Sequence, residues 1–159
     1  MSTTLIRNAF KWEEERTAVE FLHNNFLTHC LTSAGLTIGA TGHKAKVANA
    51  ACHYAINGVI YTLSANANGT ALAGGVQATG TYCKYLVSVN ASGTVTITAG
   101  VPASTATEAT LPALPSANCP LGYVQIYNNS GSNFTPGTTD LDASGITATY
   151  VNLMVMPTE

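Results

Sequence analysis

Asn57-Gly58 sits between two apolar runs in CHYAINGVIYTL, residues 52–63. A two-residue type I′ turn needs positive φ at both central positions, and Asn followed by Gly meets that need at the least steric cost. The stretch therefore predicts a β-hairpin. The pattern recurs in TYCKYLVSVNASGTVTITAG, residues 81–100, where Cys83, Tyr85, Val87 and Val89 alternate with Lys84, Leu86 and Ser88. NASG then turns the chain, and Val95, Ile97 and Ala99 alternate with Thr94, Thr96 and Thr98. A period of two places alternate side chains on opposite sheet faces. This predicts a second hairpin with one apolar face and one polar, threonine-lined face. GYVQIY (122–127) and GITATYVNLMVM (145–156) predict two more strands. The last strand loses its polar positions after Asn152, so its end is expected to be buried on both sides. Residues 64–80, rich in Ala, Gly and Asn, read as a weak edge strand or a loop.

The front of the chain obeys a different period. Val19, Leu22, Phe26 and Cys30 follow one helical face, widened by Phe21, Leu27 and Leu31. Glu13, Glu14 and Glu15 lie where carboxylates favour the positive end of a helix, and Thr32, Ser33 and Gly35 end the pattern. A helix is expected over about 11–32, either covering the core or serving as a docking arm. The expected class is mainly β: an antiparallel β-sandwich or small barrel over 46–159, with an N-terminal helical arm within 1–45. Two stretches without periodicity, 100–120 and 128–144, are long for connections in a compact domain. Such loops are usually functional or mobile, and together they would offer a contact surface.

Charge is distributed as unevenly as periodicity. Only 9% of the residues are charged, against about 25% in an ordinary soluble domain. Seven of these fourteen residues fall within the first twenty positions, with the only tryptophan, Trp12, and no basic residue follows Lys84. A net charge of -2 without clustered Lys or Arg argues against nucleic-acid binding. No apolar run is long enough to span a bilayer as a helix, and the N-terminus lacks the order of a secretory signal. Assembly in a cytoplasm is expected. The sequons at Asn68, Asn90, Asn128 and Asn133 then follow from composition. A neutral surface of Thr, Ser, Asn, Gly and Ala suits a chain packed against copies of itself or another protein.

Candidates for chemistry are weak. Cys30, His43, Cys52 and His53 hold zinc-type donors, but without ligand-pair spacing, and Cys52 and His53 fall on opposite faces of a strand. The four cysteines (Cys30, Cys52, Cys83, Cys119) read as small buried hydrophobes. DLDASG, 140–145, resembles the start of a calcium loop, yet position 12 is Val151, which cannot supply the closing carboxylate. A turn explains it more simply. General acid–base catalysis needs two titratable groups in one pocket, and the β region offers only Glu108, Asp140, Asp142, His53 and Lys84, with no recognisable motif. No enzyme activity, cofactor or metal is expected.

LPALPSANCPLGYVQIY (111–127) and FTPGTTDLDASGITATYVNL (134–153) resemble a recurring pattern of tailed-bacteriophage virion proteins. KAKVANAACHYAINGVIYTLSA (44–65) and the 81–100 hairpin fit the same scheme, so the resemblance spans roughly 44–155. Head decoration proteins, head fibres and tail-fibre pieces share this degenerate pattern, which implies a structural role and no catalytic site. It leads to the expectation of a capsid decoration (cement) protein on the outer surface of the head. Such a protein closes on its own copies as a homotrimer and grips the major capsid protein. Phe10, Trp12, Phe21, Leu22 and Phe26 are the expected docking residues, because aromatic anchors dominate interfaces and nearby charges set register. The alternatives are a tail-fibre or baseplate module that binds a host glycan through Tyr82, Tyr123, Tyr127 and Tyr150, or an internal virion protein. Alternating aromatics of this kind are more often core.

Overall fold

The structure, a computed structural model, describes residues 28–154. Among them are ten strands and no helix: β1 (His29–Cys30), β2 (Thr37–Ile38), β3 (Lys46–Asn49), β4 (Cys52–Ile56), β5 (Val59–Leu63), β6 (Asn66–Ala71), β7 (Thr81–Asn90), β8 (Val95–Ala99), β9 (Asn118–Asn128) and β10 (Ile146–Asn152). They form three antiparallel sheets, with orders β1-β4-β5, β10-β9-β7-β8 and β2-β3-β6. All three feed one apolar core, which includes Val47, Tyr54, Tyr85, Val87, Leu121, Val124, Ile126 and Phe134. The arrangement is consistent with a β-sandwich.

The first hairpin forms as its turn chemistry requires. Asn57 and Gly58 take φ of 50° and 77°, and Ile56 faces Val59 across the turn. In the second hairpin Val89 faces Val95, and the Asn90 side-chain oxygen accepts the N–H groups of Ser92 and Thr94, 3.0 Å each. That asparagine supplies the turn with acceptors that the backbone lacks.

The longest ladder joins β7 and β9, from Thr81↔Asn128 to Asn90↔Asn118. Its register slips where Val87 faces Gly122 but Ser88 faces Pro120, leaving Leu121 as the extra residue. A proline cannot donate to a ladder and is tolerated at such a bulge. This is why β9 starts at Asn118, ahead of the expected strand at 122.

Several expectations need correction. Residues 11–27 of the expected helix lie outside the described residues, but its last turn is strand. His29 and Cys30 pair with Ala55 and Tyr54, and the N–H groups of Leu31 and Thr32 both donate to the His53 carbonyl. Cys30 reaches the core by pairing with β4 and not along a helical face. Cys30, Ala34 and Leu36, within the stretch expected to be arm, belong to the core.

The polar face of the second hairpin is only partly open. Thr94 and Thr96 are exposed, but Leu86 and Ser88 are buried, and the Asn118 amide donates to the Ser88 hydroxyl at 3.0 Å. Residues 100–117 are fastened along the sheet: Gly100 N–H donates to the Lys84 carbonyl, Ala103 and Tyr82 exchange backbone bonds, and Val101 bridges Thr110. The second connection is held by a buried amide pair. Gln77 and Phe134 exchange backbone bonds, and the Asn128 side chain donates to the Gln77 and Ser132 carbonyls. Residues 66–71 are indeed a strand, mostly exposed.

The end of β10 is exposed, contrary to expectation. The Asn152 side chain accepts the Leu36 N–H, and Leu153 N–H donates to the Leu121 carbonyl as the last bond of this edge. Leu153 and Met154 then lie in solvent, each 38% exposed.

Candidate functional site

Phe10, Trp12, Phe21, Leu22 and Phe26 lie outside the described residues, which begin at Thr28. Thr28 is pinned to the first hairpin: its hydroxyl accepts the Asn57 N–H at 3.0 Å. It also borders a groove of about 370 Å³, walled by Ile56 and Asn57 on one side and by Leu114, Pro115, Ser116, Ala117, Asn118 and Pro120 on the other. Thr28, the first described residue, therefore lies at this groove. A second depression of similar size is lined by Asn49, Thr62, Ser64, Asn66, Thr70, Ser92 and their neighbours. Neither presents a carboxylate, imidazole, amine or thiol.

The zinc-type residues are not brought together. Cys30 and Cys52 meet inside the core, while His53 projects from the outer face of β4 to the Thr62 hydroxyl at 3.1 Å. Among the described residues no group of three or more metal-type donors converges. All four cysteines are buried and free. The neighbourhood of Cys52, Cys83 and Cys119 favours the protonated thiol, whereas the hydrogen bond with Cys52 lowers Cys30. The Cys30 sulfur and burial both push Cys52 well above its ordinary 9.0. Burial, assisted by Cys30, raises Cys119 to about 12. Burial also raises Cys83, against its hydrogen bonds. The three raised thiols stay neutral at ordinary pH and are poor nucleophiles.

The DLDASG segment is a turn. Ala143 N–H donates to the Asp140 carbonyl, Leu141 enters the core, and Leu141 N–H donates to the Lys44 carbonyl. The Lys44 ammonium lies 2.6 Å from an Asp142 oxygen, where a cation would have to sit.

The tyrosines divide by face. Tyr82, Tyr123 and Tyr127 are half-buried on the outer face of the four-stranded sheet. Cross-strand register sets Tyr82 against Tyr127, Lys84 against Gln125 and Leu86 against Tyr123. The Tyr82 and Tyr127 rings stack with centroids 4.3 Å apart. They are a surface feature and not core, as their alternation had suggested. Tyr150 packs against the core from β10, with its buried hydroxyl unpartnered, and burial raises it to about 12. The tyrosines that fill the core are Tyr54, which donates to the Asn90 carbonyl, and Tyr85, which meets Phe134 edge-on. Both stand on the core-facing side of their strands, and which side faces the core periodicity alone does not reveal.

No protein-family model, curated protein or solved structure matches this chain.

Proposed function

We propose that this protein is a structural subunit of a tailed-phage virion: a capsid decoration protein that binds the outer head surface and associates as a homotrimer. The observation that carries this is the pinning of Thr28 beside the groove. It fixes Thr28, which follows the charged, aromatic N-terminal sequence, to a β body whose described residues carry three lysines against three acids. A neutral body with closed, buried thiols and grooves free of ionisable groups suits packing better than turnover. Phe10, Trp12, Phe21, Leu22 and Phe26 supply the apolar anchors for the major capsid protein, and the flanking charges set register. Many modest contacts repeated over a shell then add by multivalency.

A second reading draws on the outer tyrosines. Tyr82 and Tyr127, with Lys84 and Gln125 beside them, form an aromatic and polar patch suited to a sugar, as in a tail-fibre or baseplate module. Tyr150, on the inner face, takes no part in it. The two readings separate in one experiment. Purified full-length protein is mixed with emptied heads of the phage that encodes it, and separately with host cells, and co-sedimentation is measured. Decoration predicts saturable binding to heads alone; binding to cells and not to heads would replace it with the fibre reading.

A further inference from the structure

The end of the body at which Thr28 lies also holds most of its exposed apolar bulk. Val59 and Ile60, just past the Asn57-Gly58 turn, are 54% and 67% exposed. Leu114, across the groove, is 42% exposed. Pro120 lines the same groove, and Leu153 is bonded to its neighbour Leu121, so Leu153 and Met154 stand at the same rim. A cluster of this kind on one end of a small domain marks an interaction surface, whereas single exposed apolar residues do not.

The open edge of a sheet lies at the same place. β5 is the last strand of its sheet. The backbone of His53 turns towards Leu31 and Thr32, on the β1 side. Backbone direction alternates along an antiparallel pair, so Thr62, opposite His53, and Ile60, two residues before it, aim their N–H groups away from β4. Among the described residues neither N–H has a backbone partner. An edge flanked by β-branched, uncharged side chains favours pairing with another chain.

We propose that this end, centred on Val59, Ile60, Leu114, Leu153 and Met154, is where a second copy of the same chain packs. It rests on the reading of the protein as a self-associating subunit and gives that association a place. Three observations favour a copy over a different partner. None of the six charged side chains of the described body lines the groove or belongs to the cluster, so like surfaces meet without repulsion. The surface contains both a projecting tip and a groove. Both segments outside the described residues, twenty-seven residues before Thr28 and five after Met154, start here. Packing at this end therefore brings the Thr28 positions of neighbouring copies together.

Sedimentation velocity of the full-length chain over a dilution series tests this, with Ile60→Lys, Leu114→Glu and a control, Val76→Lys. Val76 is an exposed apolar residue beside Gln77, which bonds Thr81 and Ile126 at the other end of the large sheet. The wild type and the control are expected to sediment as the same oligomer, and each interface variant to dissociate at protein concentrations at least tenfold higher, with unchanged near-ultraviolet circular dichroism. Hydrogen exchange of the wild type supplies a readout without mutation: the Ile60 and Thr62 amides should lose protection on dilution to monomer. A monomeric wild type, or interface variants as oligomeric as the control, would overturn the proposal. Dissociated variants together with a wild type that ignores heads would keep this surface and remove the decoration reading. Head binding with undisturbed variants would do the reverse.

Discussion

The four-stranded sheet and the β4–β5 hairpin obey the same alternation rule and yet end in opposite environments. In β7 every residue from Tyr85 to Val89 is buried, on both faces: Tyr85, Val87 and Val89 enter the core, and on the other face the Asn118 amide bonds the Ser88 hydroxyl. In β5 the residues Val59, Ile60 and Thr62 are exposed, and only Leu63 is buried. Alternation fixes which residues share a face. It does not say whether anything covers that face. The large sheet finds its cover within the chain, whereas the hairpin tip, though equally apolar, finds none among the described residues.

The contrast can be broken most severely by alkali. Cys52, Cys83, Cys119 and Tyr85 keep their protons to higher pH when folded than their ordinary values of 9.0 and 10.0 allow, chiefly through burial or a buried neighbour. The folded chain therefore holds protons that the unfolded chain releases, and the stability this confers is complete below about pH 9 and lost as pH climbs towards 12. The urea midpoint should be level from pH 7 to 9 and fall steeply beyond; a midpoint unchanged at pH 11 would contradict it.

Phe134→Ala strikes the same region directly. Phe134 is fully buried against Tyr85, and its loss leaves a cavity worth about 3–5 kcal/mol, visible in denaturant titration. Gly100→Ala tests the fastening of the 100–117 segment. A β-carbon there would overlap the Thr110 carbonyl and press on that of Lys84. Backbone would have to shift at a cost of about 1–3 kcal/mol, and amide exchange should rise first near Val101 and Thr110. Asn57→Ala moves to the hairpin. It forces a β-carbon without a helpful side chain into φ of 50°, at about 1–2 kcal/mol, with Asn57→Gly retaining stability. Ile60→Thr should be smallest, within about 0.5 kcal/mol, as expected for an exposed side chain, when measured on the dissociated chain.

Much of the β domain was legible from residues alone. Both hairpins and the β9 and β10 strands follow from turn chemistry and period two. What was not legible depended on tertiary partners. Cys30 fits a helical face in sequence, but two residues paired with β4 satisfy it equally well. The strands β1 and β2, of two residues each, carry no periodicity. Tyr82 and Tyr85 lie three positions apart in one strand and so on opposite faces, and which face receives the deeper cover is decided by elements far along the chain. Leu153 and Met154 continue an apolar run whose burial the edge position of β10 denies. The expected docking residues, all before Thr28, lie outside the described structure, yet the Asn57–Thr28 bond marks where they begin.

The proposed division of labour between a self-sufficient body and a docking segment is tested most directly by comparing the full chain with residues 28–159, cut where the β fold begins rather than after the expected helix. Both are subjected to thermal melting and to co-sedimentation with emptied heads. The shortened chain should keep a cooperative β transition within a few degrees of the full chain while losing head binding. Undiminished head binding by residues 28–159 would contradict the claim, as would a shortened chain that no longer folds.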